Sequence, residues 1–317
     1  MSQSAALHRP TITMDHFTDT DSAVADAWHL HHRHLLDIAY RMLGSLSEAE
    51  DVVQEGFARL VRSDVDAIDD VRGWLVVVVS RLCLDQLRSA RMRHQAYVGP
   101  WLPEPLVDVQ GGEDPAERVT LDDSVRMALL VVLERLSPAE RVAFVLHDVF
   151  QYDFDRVASI MGRTSAACRQ LASRARRQVR AQSGAGRFDV EPAAARRVAE
   201  RFISAAATGD LDALLQVLDP EVSGETDSGG MLPAPRQRIV GRDRIARTLL
   251  DWLRDWDVRL VSTPVNASPG ALAYSDGTLI AVLSFDVRDG FIAHVHGVAN
   301  PDKLAHVRRA LERAATP

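Results

Sequence analysis

Between Phe154 and Arg180 the chain reads FDRVASIMGRTSAACRQLASRARRQVR: a short apolar-periodic run, a glycine, then a longer run rich in arginine. Glycine adopts the left-handed conformation that a tight turn between helices needs, so the segment predicts a helix-turn-helix. In the second helix, predicted over 164–181, Cys168, Leu171, Ala172, Ala175 and Val179 recur on one face. Ser165, Arg169, Gln170, Ser173, Arg174, Arg176, Arg177 and Arg180 lie on the outward sides. From Met161 to Ser183 there are six arginines and no Asp or Glu, whereas the whole chain is net −7. A basic second helix of this kind fits a DNA major groove, its first residues near base edges and its later ones near phosphates. Arg169 and Gln170 have the donors to read bases; Arg174, Arg176, Arg177 and Arg180 suit salt-dependent phosphate contacts. The competing reading of the same residues is a solvated basic face on a structural helix.

The rest of the chain sets this island apart. Residues 1–160 are net −11 and residues 184–317 net −2. With 317 residues there is room for two or three domains. Cys83 and Cys168 fall in apolar helical patterns and are expected as buried thiols without a disulfide or metal. His29, His31, His32 and His34 lack the Cys or paired carboxylates that would complete a metal site, so a solvated helix face is expected. The N-terminus has no signal-peptide core and the apolar run Leu75–Val79 is too short to span a bilayer, which makes the cytoplasm the expected location.

A flexible tail is expected over 1–22. A helix follows from about Ala23 to Gly44. Ser47 and Glu50 then form a predicted capping box, opening a helix with Ala49, Val52, Val53, Phe57 and Leu60 on one face. Ser63–Asp70 is acidic and irregular. The valine run 76–79 favours strand by composition, yet Leu75, Val78, Val79 and Leu82 recur at helical spacing, so one helix is predicted over 71–92. A linker with WLPEPL (Trp101 to Leu106) spans 97–121. Helices are predicted at 122–136, 138–150, 154–161 and 164–181, with Ser137-Pro138 as a cap and first-turn proline.

From 184 to 317 the pattern is mixed: two helices (192–207, 211–217), strands near 222–226 and 236–240, a helix over 242–256, strands near 258–263, 272–276, 279–287 and 291–299, and a last helix over 302–314. Asp289-Gly290 is a hairpin turn signal. Helices on a curved, mostly antiparallel sheet make an α+β domain. Trp252, Trp256, Tyr274, Phe285, His294 and His296 are candidates to line a pocket. His294 and His296 share a strand face, and Asp227 or Asp276 are candidate acid/base partners for them; the alternative is core and surface filler.

AYRMLGSLSEAEDVVQEGFARL (Ala39 to Leu60) and RGWLVVVVSRLCLDQLRSAR (Arg72 to Arg91) resemble region 2 of extracytoplasmic-function sigma factors. LSPAERVAFVLHDVF (Leu136 to Phe150) with the helix-turn-helix resembles their region 4. WLPEPL and NPDKL (Asn300 to Leu304) resemble motifs of the sigma-J-like subgroup, which carries a SnoaL-like C-terminal extension; Asp227-Ser228-Gly229-Gly230-Met231 stands where that subgroup often has DGGGK. The resemblance implies region 2 over 23–96, region 4 over 122–183 and a cone-shaped SnoaL-like domain over 184–317. It implies binding to core RNA polymerase, through the β′ clamp helices and the β flap, and promoter-specific initiation by a monomer that is not an enzyme and needs no cofactor. Asp51, Gln54, Glu55 and Arg59 become the expected polymerase contacts. The loop Ser63 to Arg72, with Trp74, Arg81 and Arg88, becomes the expected −10 reader, and the arginine helix the −35 reader. Trp74 equally fits a core aromatic at a helix start. Trp101, Leu102, Asn300, Asp302 and Lys303 become expected contacts for regulation in cis, and the extension is a candidate site for a small ligand. Two other functions compete: a one-component ligand-responsive regulator, for which region 2 is superfluous, and a SnoaL-like enzyme with an accessory DNA-binding part.

Overall fold

The computed structural model describes residues 15–94, 97–107, 125–183, 191–231 and 234–315. The first helix, α1 (Asp15–Leu43), starts eight residues before the expected Ala23; the rest of the expected tail, residues 1–14, lies outside the described residues, as do linker residues 108–121. Gly44, at φ +70°, stops α1. Helix α2 (Leu46–Val61) is capped by Ser45, whose hydroxyl accepts from the Glu48 N–H at 3.1 Å. The expected cap at Ser47 is therefore displaced by two residues. Helix α3 (Val71–His94) is continuous through the valines. Leu75, Val76, Val79 and Cys83 are buried, and α3 packs on α1, α2 and α5, so helix packing overrides the strand preference of valine.

Helix α4 (Met127–Glu134) is shorter than expected; residues 122–124 are not described. Ser137 and Glu140 close a full capping box on α5 (Pro138–Phe144), with proline in the first turn. A π turn (Val145–Val149) continues α5. Then come α6 (Phe154–Met161), the left-handed Gly162 (φ +62°), and α7 (Ser165–Ser183). One apolar core runs through α1 to α7. The two expected helical domains thus share a core, with Val76 and Val79 of α3 and Val142 and Phe144 of α5 among its members.

The C-terminal part begins with α8 (Pro192–Thr208) and α9 (Leu211–Val217). Strands β1 (Leu218–Asp227), β2 (Ile239–Val240), β3 (Arg259–Val265), β4 (Ser268–Ser275), β5 (Thr278–Arg288) and β6 (Phe291–Val298) form one sheet in the order β2-β1-β6-β5-β4-β3. All neighbours are antiparallel except β1 and β6, which run parallel, so the sheet is mixed rather than purely antiparallel. Asp289-Gly290 makes the expected tight turn, with both residues at positive φ; Asp276-Gly277 and Asn266-Ala267 make two more. Helices α8 and α10 (Arg242–Asp255) cover one face, where the rings of Phe202 and Phe285 meet edge-on at 5.0 Å. The alternate residues Val282 and Val298 point to the other face. There they pack with Leu102 of the linker, Met127 of α4, and Leu304 and Val307 of α11 (Pro301–Ala315). That second layer presses the sheet against the helical half.

Candidate nucleic-acid interface and its junction with the C-terminal domain

Asp153 caps α6 by accepting from the Arg156 N–H at 2.7 Å, and the Thr164 hydroxyl does the same for α7 through Ala167 at 3.2 Å. With both helices pinned at their starts, Cys168, Ala172 and Ala175 of α7 are buried and Leu171 and Val179 half-buried, as the periodicity predicts. Arg169, Gln170, Ser173, Arg174, Arg177 and Arg180 face solvent. The Arg169 guanidinium lies over the Phe154 ring at 5.4 Å, which steadies it near the start of α7. Two expected DNA contacts also have partners within the chain. Ser165 donates its hydroxyl proton to Asp155. Arg176 turns to the Asp148 carboxylate at 3.4 Å, because burial disfavours the Asp148 charge and a cation nearby offsets that cost.

On α2, Asp51, Gln54 and Arg59 are exposed, and Glu55 is half-exposed beside Arg59 at 2.9 Å. The Arg59 hydrogen bond lowers the Glu55 pKa. These four line the open side of a helix whose other side (Ala49, Val52, Val53, Phe57, Leu60) is core. Trp74 is half-buried; it packs on the core and lines a groove of about 540 Å³ with Ile68, Val77, Arg81 and Arg156. Arg81 departs from the expectation of a free DNA contact. Its Nε donates to the Ile160 carbonyl and its Nη2 to the Ser159 carbonyl, both at 3.0 Å, so it bonds to the end of α6. Arg88 is exposed and pairs with Asp85 at 3.1 Å.

The linker is built into a polar junction that sequence patterning does not reveal. Asp227, fully buried at the end of β1, accepts from the Leu102 N–H at 2.9 Å, the Tyr97 hydroxyl at 2.5 Å, the Gly229 N–H at 3.1 Å and Lys303 Nζ at 2.7 Å. Lys303 also donates to the Leu102 carbonyl and stands 3.7 Å from the Trp101 ring centre. Burial lowers its pKa against the pull of Asp227. Asn300 donates to the Tyr97 hydroxyl at 2.8 Å. Gly229, at φ +61°, leaves room for Asn300; a Cβ there would sit 2.8 Å from its Nδ2. Four of the five expected regulatory residues (Trp101, Leu102, Asn300, Lys303) meet here. Asp302 does not: its side chain is exposed and its backbone N–H donates to Asn300.

Three further residues complete the junction. The Glu104 carboxylate accepts from the N–H of Leu46 at 2.8 Å and of Ser47 at 3.3 Å, and from both serine hydroxyls, so the linker holds the start of α2. His306 faces Glu104 at 3.8 Å and contacts the Pro105 carbonyl at 2.7 Å. Asn266 bonds Tyr40, Leu106 and Val125. Each contact spans a large sequence distance, so no local pattern marks it.

The expected acid/base grouping in the C-terminal domain is replaced by another. Asp227 faces the linker and Asp276 sits in a turn. His296 instead lies between Asp286 at 3.1 Å and Glu225 at 3.4 Å. Burial alone would depress His296, but the two carboxylates raise it to about 9. His294 is lowered to about 4 by burial and hydrogen-bonds Ser223. Phe285 is core rather than pocket lining. Among the described residues no group of three or more His, Cys, Asp or Glu could hold a metal ion, and no helix is long and apolar enough to cross a membrane.

Residues 27–93 match the Sigma-70 region 2 family and residues 126–179 the Sigma-70 region 4 family. The chain is 44% identical over 298 residues to the probable ECF RNA polymerase sigma factor SigI of Mycobacterium tuberculosis, covering 91% of this chain and 97% of that one. It is 40% identical over 283 residues to the ECF RNA polymerase sigma factor SigJ of the same organism, covering 86% and 90%. The crystal structure of M. tuberculosis SigJ superimposes with a TM-score of 0.73 at 37% identity, covering 89% of this chain and 98% of that chain. With regions 2 and 4 in order, a basic helix-turn-helix exposed, and this likeness along nearly the whole length, the chain belongs to the extracytoplasmic-function RNA polymerase sigma factors, which direct core polymerase to promoters and start transcription there.

Proposed function

We propose the following division of labour within that activity. Helix α7 reads the −35 element, with Arg169, Gln170 and Ser173 at base edges and Arg174 and Arg177 on phosphates. Helix α2 docks on the β′ clamp helices through Asp51, Gln54, Glu55 and Arg59, and region 4 meets the β flap. The loop 63–72 with Trp74, Arg81 and Arg88 serves the −10 element. The C-terminal domain regulates the chain in cis, and the free chain is a monomer acting in the cytoplasm, where polymerase and promoter meet.

The observation that carries the regulatory part is the buried bond of Asp227 and Lys303 to Leu102. It fixes the C-terminal domain to the linker between the two readers, so rearranging the readers must break this contact or carry the domain along. Run-off transcription with purified core polymerase tests the reading. The full chain is expected to yield promoter-specific product. Lys303→Met, which leaves Asp227 without its cation, is expected to change polymerase affinity by about threefold or more. Unchanged affinity and transcription in this variant, and in a chain ending at Ser183, would defeat regulation in cis. Absence of specific product from every form would defeat the promoter assignments.

A further inference from the structure

The last four carbonyls of a helix have no partner within it. In α6 the Ala158 carbonyl takes the N–H groups of Gly162 and Arg163. The next two, Ser159 and Ile160, receive the two-pronged guanidinium of Arg81 from α3, both at 3.0 Å. A helix C-terminus carries roughly half a negative charge. Two oxygens on a negative centre are also what a phosphate offers a guanidinium. The end of α6 therefore presents to Arg81 the chemistry of a DNA backbone.

Neighbouring contacts close the same seam between regions 2 and 4. His34 Nε2 meets the Tyr152 hydroxyl at 3.0 Å, the Arg41 guanidinium lies 5.4 Å from the Phe150 ring centre, and Arg156 reaches Asp70 at 4.0 Å. Arg156 also borders the groove in front of Trp74. Promoter elements at −35 and −10 are about 25 base pairs apart, roughly 85 Å of duplex at about 3.4 Å per pair. Helix α7, at about 1.5 Å per residue, is roughly 28 Å long. The two readers cannot occupy both elements while Arg81 touches α6.

We propose that Arg81 exchanges partners. In the free chain it holds the end of α6 and keeps the readers together; on the promoter the same guanidinium takes a backbone phosphate beside the −10 element. Region 4 is then an internal competitor for the DNA contact of region 2. This rests on the assignment of α3 and its preceding loop to the −10 element.

The test compares the full-length chain with Arg81→Gln and Tyr152→Phe. Small-angle X-ray scattering gives the dimensions of the free chain, and titration gives its affinity for core polymerase. Weakening the seam raises the fraction of open chain, so both variants should expand and bind polymerase about threefold or more tightly. In the holoenzyme, on the promoter recovered by run-off, Arg81→Gln alone should reduce the slope of log affinity against log salt by about one, the loss of one phosphate contact. Unchanged dimensions and polymerase affinity in both variants would show that the shared apolar core alone keeps the readers together, and would overturn the holding role of Arg81. An unchanged salt slope in Arg81→Gln would overturn the exchange. Failure of the −10 assignment itself shows separately, as a salt slope unchanged in Arg88→Gln as well as in Arg81→Gln, whereas a slope that falls only for Arg88→Gln overturns the exchange alone.

Discussion

His296 shows how one side chain makes folding depend on pH. It is 5% exposed and held between Asp286 and Glu225. His294 and Arg238 lie on the same side, and Arg135 of region 4 acts on Glu225. Its pKa in the folded chain is about 9, above the 6.5 of a free imidazole. The imidazolium therefore contributes fully below about pH 6.5, and the contribution is lost as pH rises through about 9. Urea unfolding should give lower stability at pH 9 than at pH 6.5. His296→Gln leaves two buried carboxylates without their cation, so it should lose about 3 kcal/mol at pH 6.5 and flatten the slope between the two pH values. A wild-type stability that rises over this interval would contradict the assignment. Asp227 and Lys303 obey the same rule of paired burial; Lys303 and Leu102 were expected as contacts, but Asp227 was not expected as their partner. Asp227 reads as a candidate acid/base beside a glycine pair; that it accepts from Lys303 and Leu102 depends on contacts at separations of 76 and 125 residues.

At the scale of elements, α7 was legible because a helix with one buried face repeats every three to four residues. The burial of Cys168, Ala172 and Ala175 follows that repeat. Which arginines are free was not legible, since Asp148, the partner of Arg176, comes from a different element. This difference can be measured. On the holoenzyme–promoter complex, Arg174→Gln with Arg177→Gln should cut the salt slope by about two, whereas Arg176→Gln should leave it within error of the wild type. A slope that falls equally for Arg176→Gln would place that residue on phosphate after all. The α2 cap shows the same limit of local reading. Ser45-Leu46-Ser47-Glu48 offers two serines, and Glu104 decides between them: it binds the Leu46 and Ser47 N–H groups, leaving Ser45 to take Glu48. The Asn266-Ala267 turn escaped notice because alanine at positive φ is uncommon. The parallel β1–β6 pair could not be read from strand order, because β1 is separated from β6 by four intervening strands in the chain.

For the molecule as a whole, Asn266 is where the parts meet. It is fully buried in a turn of the C-terminal sheet, at φ +49°. Its Nδ2 donates to the Tyr40 hydroxyl of α1 and to the Val125 carbonyl before α4, both at 2.9 Å. Its Oδ1 accepts from the linker Leu106 N–H at 3.0 Å, and its own N–H donates to the Leu106 carbonyl at 2.8 Å. Region 2, region 4, the linker and the extension are thus joined through one amide, which couples their unfolding. Asn266→Ala keeps the backbone bond but strands the Leu106 N–H and the Val125 carbonyl in a buried site, at about 1–3 kcal/mol for each group left unsatisfied. The left-handed turn adds about 1 kcal/mol for alanine. Wild type should unfold in urea in a single transition, with far-UV circular dichroism and tryptophan fluorescence coincident. In Asn266→Ala the two curves should separate, because Trp28 and Trp74 pack on the core of the helical half and Trp252 on that of the sheet half. Coincident curves with less than about 1 kcal/mol lost would mean that the apolar layer of Leu102, Met127, Val282 and Leu304 couples the halves without this amide.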